Sequence, residues 1–526
     1  MSRWFQRAQI AAVLAAGLLV AWPSLTGPAG AFAVPAITIA HINDVYELEP
    51  IEGGAYGGMA RVATLFDRLR RAGPLLTTLG GDFLSPSAIG TARVDGEPLM
   101  GRQMVDVLNQ IGLGYATLGN HEFDIPEDAF RARMIQARFK VIASNVTDAK
   151  GEPFQGTVDQ VIVPIKIGGR TVRIGIFGLV LDYNRRPWVK YLPPIDTARE
   201  KVAAMGGKVD IIIGLTHMAA ADDVKLVEAI PQIDLVLGGH EHENWYVRRG
   251  QSFAPIVKAD ANARSVAVVT MRVPQGLRPD VSVRFELVNS SLPMQPRAQL
   301  LVKRWMDAGL DALKRDGFAP SAVVATIAEP LDGRDTTVRH RPGQLTTLIA
   351  TAIRRETAAD VGILNGGTIR IDDILPPGPI RQYDIFRLLP FGGTVVRATM
   401  DGGMLKRVLD TGMLNAGIGG YLHPIGAVQE KDGWVVNGKP IDPASKYSVG
   451  MPEFLLTGLE TRMDFLKRDN PDISDIRVFR DLRRVVMDEL ELYGRTRSPG
   501  SSDPGNSVNF LPRPLAAETQ LRAPAR

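Results

Sequence analysis

Ala116-Thr-Leu-Gly-Asn-His121 decides how the front of this chain is read. A short apolar run ends on glycine, and ligand-type side chains follow at once. The same design recurs in Ile39-Ala-His-Ile-Asn-Asp44, Thr77-Thr-Leu-Gly-Gly-Asp82, Ile211-Ile-Ile-Gly-Leu-Thr-His217 and Leu235-Val-Leu-Gly-Gly-His240-Glu-His242. In an open α/β sheet, ligands bind outside the carboxyl ends of the strands. Strand ends carrying Asp, Asp, Asn-His, His and His-x-His would therefore converge on one crevice. Such a set suits two divalent cations bridged by a carboxylate, an arrangement that hydrolyses phosphate esters.

Working outward, apolar runs of strand length recur from about residue 36 to 290, including Leu75–Leu79, Val141–Ala143 and Val172–Phe177. Between some of them lie amphipathic stretches. Met59, Val62, Phe66 and Leu69 share one helical face, as do Met104, Val105, Leu108 and Ile111. Strands separated by helices predict a layered α/β architecture. Residues 293–317 differ, with Leu300, Leu301, Trp305, Leu310 and Leu313 at helical spacing and Gly317 as a stop. This stretch reads either as a connecting helix or as a helix of one of the flanking domains. We assign 34–292 to a catalytic domain, 293–330 to a linker helix, 331–495 to a second α+β domain, and 496–526 to a disordered tail rich in Ser, Pro, Gly and Arg.

The chain of 526 residues is too long for one core. Its net charge is +4, and Arg3 and Arg7 account for part of that. Residues 1–33 read as a secretory signal: a basic start, an apolar core from Ile10 to Trp22, and a small-x-small cleavage site at Ala31-Phe-Ala33. That core falls short of the roughly 20 residues that span a bilayer. The expectation is a periplasmic or secreted protein without a stable membrane anchor. The remaining charge balance is too slight to predict a nucleic-acid polymer as partner. Absence of cysteine excludes disulfides, thiolate ligands and cysteine nucleophiles.

Of seven histidines, five lie in the strand-end runs. Together Asn43-Asp44, Gly80-Gly-Asp82, Gly119-Asn-His-Glu-Phe-Asp124, Thr216-His217 and Gly238-Gly-His-Glu-His242 resemble the calcineurin-like metallophosphoesterases, and within them the 5′-nucleotidase family. The resemblance covers about residues 36–480. It implies a layered β-sandwich flanked by helices, followed by a substrate-binding domain. It further implies that Asp82 bridges two metals, with Asn120, His217 and His240 completing one site and Asp44 and His242 belonging to the other. His121, held by Asp124, would stabilise charge developing on the phosphoryl group. Zn, Mn, Fe or Co would suit these oxygen and imidazole donors. One departure stands out: where the family has Asp-x-His, this chain has Asp44-Val-Tyr46, which makes Tyr46 an uncertain ligand. His41, inside its strand, reads as core-facing rather than as a substitute.

In the second domain, Asn365-Gly-Gly-Thr-Ile-Arg370 joins glycines that permit close approach to an arginine suited to paired bonds with phosphate. Phe391 and Phe454 sit on turns, where an aromatic either packs inward or stands out as a platform. The resemblance implies the platform: both rings would sandwich a base, Arg339 and Arg370 would hold phosphate, Asn365 would meet base or sugar, and Glu460 would take the place of the ribose-binding aspartate. The expected reaction turns nucleoside 5′-monophosphates into nucleoside and phosphate. UDP-sugar hydrolysis and 2′,3′-cyclic nucleotide phosphodiesterase activity are alternatives within the family, and a catalytically weakened nucleotide-binding protein is the alternative outside it.

Overall fold

A computed structural model describes residues 36–496 except 275; the expected signal segment and the tail beyond 496 lie outside the described residues. Two sheets build the first unit. The seven-stranded sheet runs Thr157–Val158, Lys140–Ile142, Tyr115–Thr117, Leu75–Leu79, Ala36–Ile42, Ser265–Arg272, Asp280–Leu287. Its first five strands are parallel, and the last two pair antiparallel. The six-stranded sheet runs Gln160–Ile167, Arg170–Val180, Ile211–His217, Leu235–Gly238, Ala254–Lys258, Trp245–Arg249, with its central four strands parallel.

Alternation along each strand sorts side chains into layers. Ile37 and Ile39 join Ile174, Ile176, Ile211, Ile213, Leu215, Leu235 and Leu237 in the core between the sheets. Ala40, Ile42, Leu79 and Ala116 face the helices Met59–Ala72 and Arg102–Ile111. Phe177, Ile212, Val236 and Ile256 face Pro194–Met205 and Ala220–Ala229. The layered sandwich flanked by helices is the architecture present. It places the carboxyl ends of the parallel strands of both sheets along one edge.

The helix Pro296–Arg315 lies along Met59–Ala72 and Arg102–Ile111, and the second unit begins with strand Val323–Ile327. That unit holds a five-stranded sheet in the order Leu422–Ile425, Val361–Asn365, Lys446–Pro452, Thr394–Asp401, Ile473–Asp481. Helix Gln344–Thr357 packs on it, with helix Leu482–Thr496 beyond, while Gly402–Leu414 contributes Met404, Leu405, Val408 and Leu409 to a further apolar cluster. No helix among the described residues is long and apolar enough to cross a membrane.

Candidate metal centre and substrate crevice

The two sheets approach so closely at their carboxyl edge that only glycine fits. A Cβ on Gly80 would lie 2.8 Å from the Gly238 carbonyl oxygen, and one on Gly81 would lie 2.7 Å from the Gly119 amide and from His217 Nδ1. The glycines preceding Asp82, Asn120 and His240 are therefore steric necessities of the convergence. Asp44, Asp82 and His240 adopt φ of 52°, 56° and 85°. Left-handed backbone at three candidate ligands is strain of the kind that concentrates at working sites.

Oxygens of Asp44 and Asp82 and a ring nitrogen of buried His217 lie within 4.8 Å of one another. His217 Nε2 is 3.3 Å from Asp82 Oδ2, 4.0 Å from Asp44 Oδ1 and 3.2 Å from Asn120 Oδ1. Its Nδ1 donates to the Gly80 carbonyl at 2.6 Å, which aims Nε2 into the crevice. The His240 ring centroid stands 5.5 Å from that of His217, and its backbone N–H donates to Asp44 Oδ2 at 3.0 Å. His242 Nε2 is 3.4 Å from Asp44 Oδ1. All six expected metal residues thus meet at one edge. Tyr46 meets them too: its hydroxyl is 3.2 Å from Asp44 Oδ1, from Asp82 Oδ2 and from His242 Nε2. His41 stays inside the sandwich, bonded to Thr78 and to the Gly238 carbonyl.

Burial alone would lower the His217 pKa, but the Asp82 and Asp44 carboxylates overcome it and raise the ring to about 9. Burial, with His217 and Lys258 nearby, drives His240 down to about 3, and burial holds His41 at about 4. Tyr46 is pushed well above its ordinary value by burial and by the charges of Asp82 and Asp44, so its phenol is neutral here. The signs set a stability profile for protein stripped of cations. Stabilisation from His217 is complete below the ordinary value of 6.5 and is lost as pH rises through about 9. His41 and His240, held neutral, withdraw stability as pH falls below 6.5. Chelated protein should therefore melt highest near neutrality and lower at pH 9, whereas saturating divalent cation should flatten the alkaline fall. Thermal denaturation across pH, with and without chelator, measures this.

Several supporting residues escaped the sequence reading. Buried Glu122 accepts the amides of Asp82, Phe83 and Leu84 at 2.9, 2.7 and 3.0 Å and that of Gly119, tying the Asp82 loop to the His121 turn. Burial and the Asp82 charge raise its carboxyl to about 7 against those amides. Its place inside Gly119-Asn-His-Glu was the available signal. Fully buried Lys258 donates to the Met218 and Gly239 carbonyls at 2.6 and 2.8 Å and pairs with Asp223 at 2.9 Å and with Glu241. It pins the turn bearing His240 and His242. Lys258→Met would strand two carboxylates, so a loss of about 3–5 kcal/mol is expected. Chemical denaturation reads that loss.

His121 Nδ1 donates to Asp124 Oδ2 at 2.5 Å, and Asn184 Nδ2 donates to Asp124 Oδ1 at 2.7 Å. From the second unit, Arg370 Nη1 donates to His121 Nε2 at 3.1 Å, and its guanidinium lies 5.3 Å from the centroid of the Phe391 ring. Arg339 pairs with Asp335 at 2.5 Å. The Nε atoms of both Arg339 and Arg370 are buried without a hydrogen-bond partner. Asn365 Nδ2 donates to the buried Glu460 carboxylate at 2.9 Å, and Glu460 also accepts the Thr461 amide at 2.8 Å. Phe391 and Phe454 remain 43% and 45% exposed. A separate cavity of about 530 Å³ beside Trp305 contains none of these residues. Two of its arginines, Arg102 and Arg304, already face Asp95 and Asp106.

An αββα sandwich with carboxylates, imidazoles and a His–Asp pair at its strand ends defines a metal-dependent phosphoesterase. Comparison with known proteins agrees. Residues 37–244 match the calcineurin-like phosphoesterase family, and residues 323–468 match the 5′-nucleotidase C-terminal domain. The chain belongs to the 5′-nucleotidase family and is a metal-dependent phosphoric ester hydrolase. It is 25% identical to human 5′-nucleotidase over 587 aligned positions, covering 96% of this chain and 97% of that one. Protein UshA of Salmonella pullorum is 25% identical over 521 positions, covering 85% and 90%. The crystal structure of a 5′-nucleotidase precursor from Thermus thermophilus superposes with a TM-score of 0.73 at 23% identity, over 87% of this chain and 97% of that one.

Proposed function

We propose that this chain is an exported phosphohydrolase that uses two divalent cations to convert nucleoside 5′-monophosphates into nucleoside and phosphate. One observation carries the reading: the orphaned Nε atoms of Arg339 and Arg370 are buried beside the carboxylate–imidazole cluster. A buried donor without a partner is costly and calls for an acceptor. A phosphoryl group supplies several oxygens at once.

The donor set fits hard-to-borderline cations, for it offers carboxylate, amide oxygen and imidazole and no thiolate. Asp82 would bridge the two positions; Asn120, His217 and His240 would complete one, and Asp44 and His242 would serve the other, with Tyr46 at its margin. Zn, Mn, Fe or Co would supply charge neutralisation and a water of lowered pKa when bound. This chain's residues do the remainder. Arg339 and Arg370 hold phosphoryl oxygens. Asp124 keeps the His121 proton on Nδ1, leaving Nε2 directed at the site where Arg370 meets it. Glu460 and Asn365 present a carboxylate and an amide to a sugar, and Phe391 and Phe454 offer faces for a base.

Tyr46 favours a second reading, a nucleotide-binding protein with weakened catalysis, because its neutral hydroxyl lies among three ligand atoms. Purified protein loaded with Mn, Zn or Co should release phosphate from AMP. UDP-glucose and 2′,3′-cyclic AMP, assayed alongside, distinguish the sister activities. If no substrate is cleaved, the phosphohydrolase reading fails. A large rate gain in Tyr46→His would instead mark the native site as weakened.

A further inference from the structure

His242 is held from two directions by two different units. Its Nε2 faces Asp44 Oδ1 at 3.4 Å within the first unit. Its Nδ1 meets Asp372 Oδ2 at 2.9 Å and Asp335 Oδ2 at 3.4 Å, both from the second unit. The two carboxylates are not equivalent. Asp335 is engaged by Arg339 at 2.5 Å. Asp372 is buried and positioned for the ring: its Oδ1 accepts the Asp335 amide at 2.9 Å, and its carbonyl accepts Arg264 Nη2 at 2.7 Å. His242, Asp335 and Asp372 have the look of a cation site of their own, since their ligand atoms lie within 4.8 Å. The arginine on Asp335 and the hydrogen-bond length of the Nδ1–Oδ2 contact argue against that use.

We propose that Asp372 is a positioning residue for the metal centre, supplied across the seam between the two units. It accepts the Nδ1–H of His242 and so fixes the tautomer that turns Nε2 toward Asp44. A ligating histidine depends on such a partner for ring orientation and basicity. His217 takes the equivalent support from Gly80, inside its own unit. His242 takes it from the other unit, so its cation position is complete only while the units are together. By linkage, a cation bound there favours contact between the units in return. The inference rests on the proposed role of His242 as a cation ligand.

The test uses full-length protein stripped of metal and titrated with Mn²⁺, followed by calorimetry and by the electron paramagnetic resonance of bound Mn²⁺. His242→Ala should remove one class of site and keep the other. Asp372→Asn should weaken that same class by roughly 10–100-fold, with the other class and the metal-free melting temperature little changed. Asp372→Glu should recover part of the loss. Asp373→Asn is the control. That carboxylate binds Arg387 at 3.2 Å and lies 3.7 Å from Arg264, both seam residues, with no contact to His242, so its loss should leave Mn²⁺ binding intact. Wild-type affinity in Asp372→Asn, or an equal loss in Asp373→Asn, overturns the proposal while the metal assignment stands. Unchanged binding in His242→Ala overturns the metal assignment and the proposal with it.

Discussion

Asp82→Ala should lower turnover by at least roughly a thousandfold and leave fewer than two cations bound per chain. Asp82 stands between His217, His121 and Tyr46. One oxygen accepts the His121 amide at 2.9 Å, while the other is 3.3 Å from His217 Nε2 and 3.2 Å from the Tyr46 hydroxyl. Burial works to raise its carboxyl, but His217 and His121 more than offset that and hold it well below the usual carboxylate range. The group is therefore an anion at neutral pH. Removing it leaves His217 buried with one carboxylate neighbour fewer, and leaves no single group able to face two cations. Elemental analysis and a phosphate-release assay measure the two effects. Retention of two cations with near-native turnover would refute the bridging role.

His121→Gln should lower kcat by about 10²–10⁴-fold while both cations remain bound. Both ring nitrogens are already engaged: Nδ1 meets Asp124 Oδ2 at 2.5 Å and Nε2 accepts from Arg370 Nη1 at 3.1 Å. Its place is beside the orphaned arginine donors, where a phosphoryl oxygen or the leaving oxygen would sit. Asp124→Asn should give a smaller drop, since an amide can still meet Nδ1 but no longer as an anion. Asn184 anchors Asp124 and also bonds the Asn120 carbonyl at 3.0 Å, so the pair is set rigidly beside the metal cluster. Equal loss of cations and rate in His121→Gln would instead make the ring a ligand.

Much of the centre could be read directly from the chain. Asp44, Asp82, Asn120, His240 and His242 each follow a strand within a few residues, His217 ends one, and parallel strands deliver their carboxyl ends to one edge. Local order along the sequence was therefore enough to forecast convergence. The same logic kept His41 in the core, because it precedes its strand's end. Glu122 sat in view inside a motif, yet its role depends on amides from residues 82–84, which meet it only through folding. Lys258 ends the strand Ala254–Lys258, and its partners Asp223 and Glu241 lie far back along the chain, so no local pattern advertises them.

By itself the sequence determined the layers, the ligand types and their order, because strand period and glycine-bounded turns are local properties of the backbone. Only the tertiary structure decided what Tyr46 faces, which carboxylate braces His242, and that Arg370 reaches His121. Those outcomes join residues up to 249 positions apart. They depend on how two sheets and a second unit pack together, and no local pattern encodes that packing.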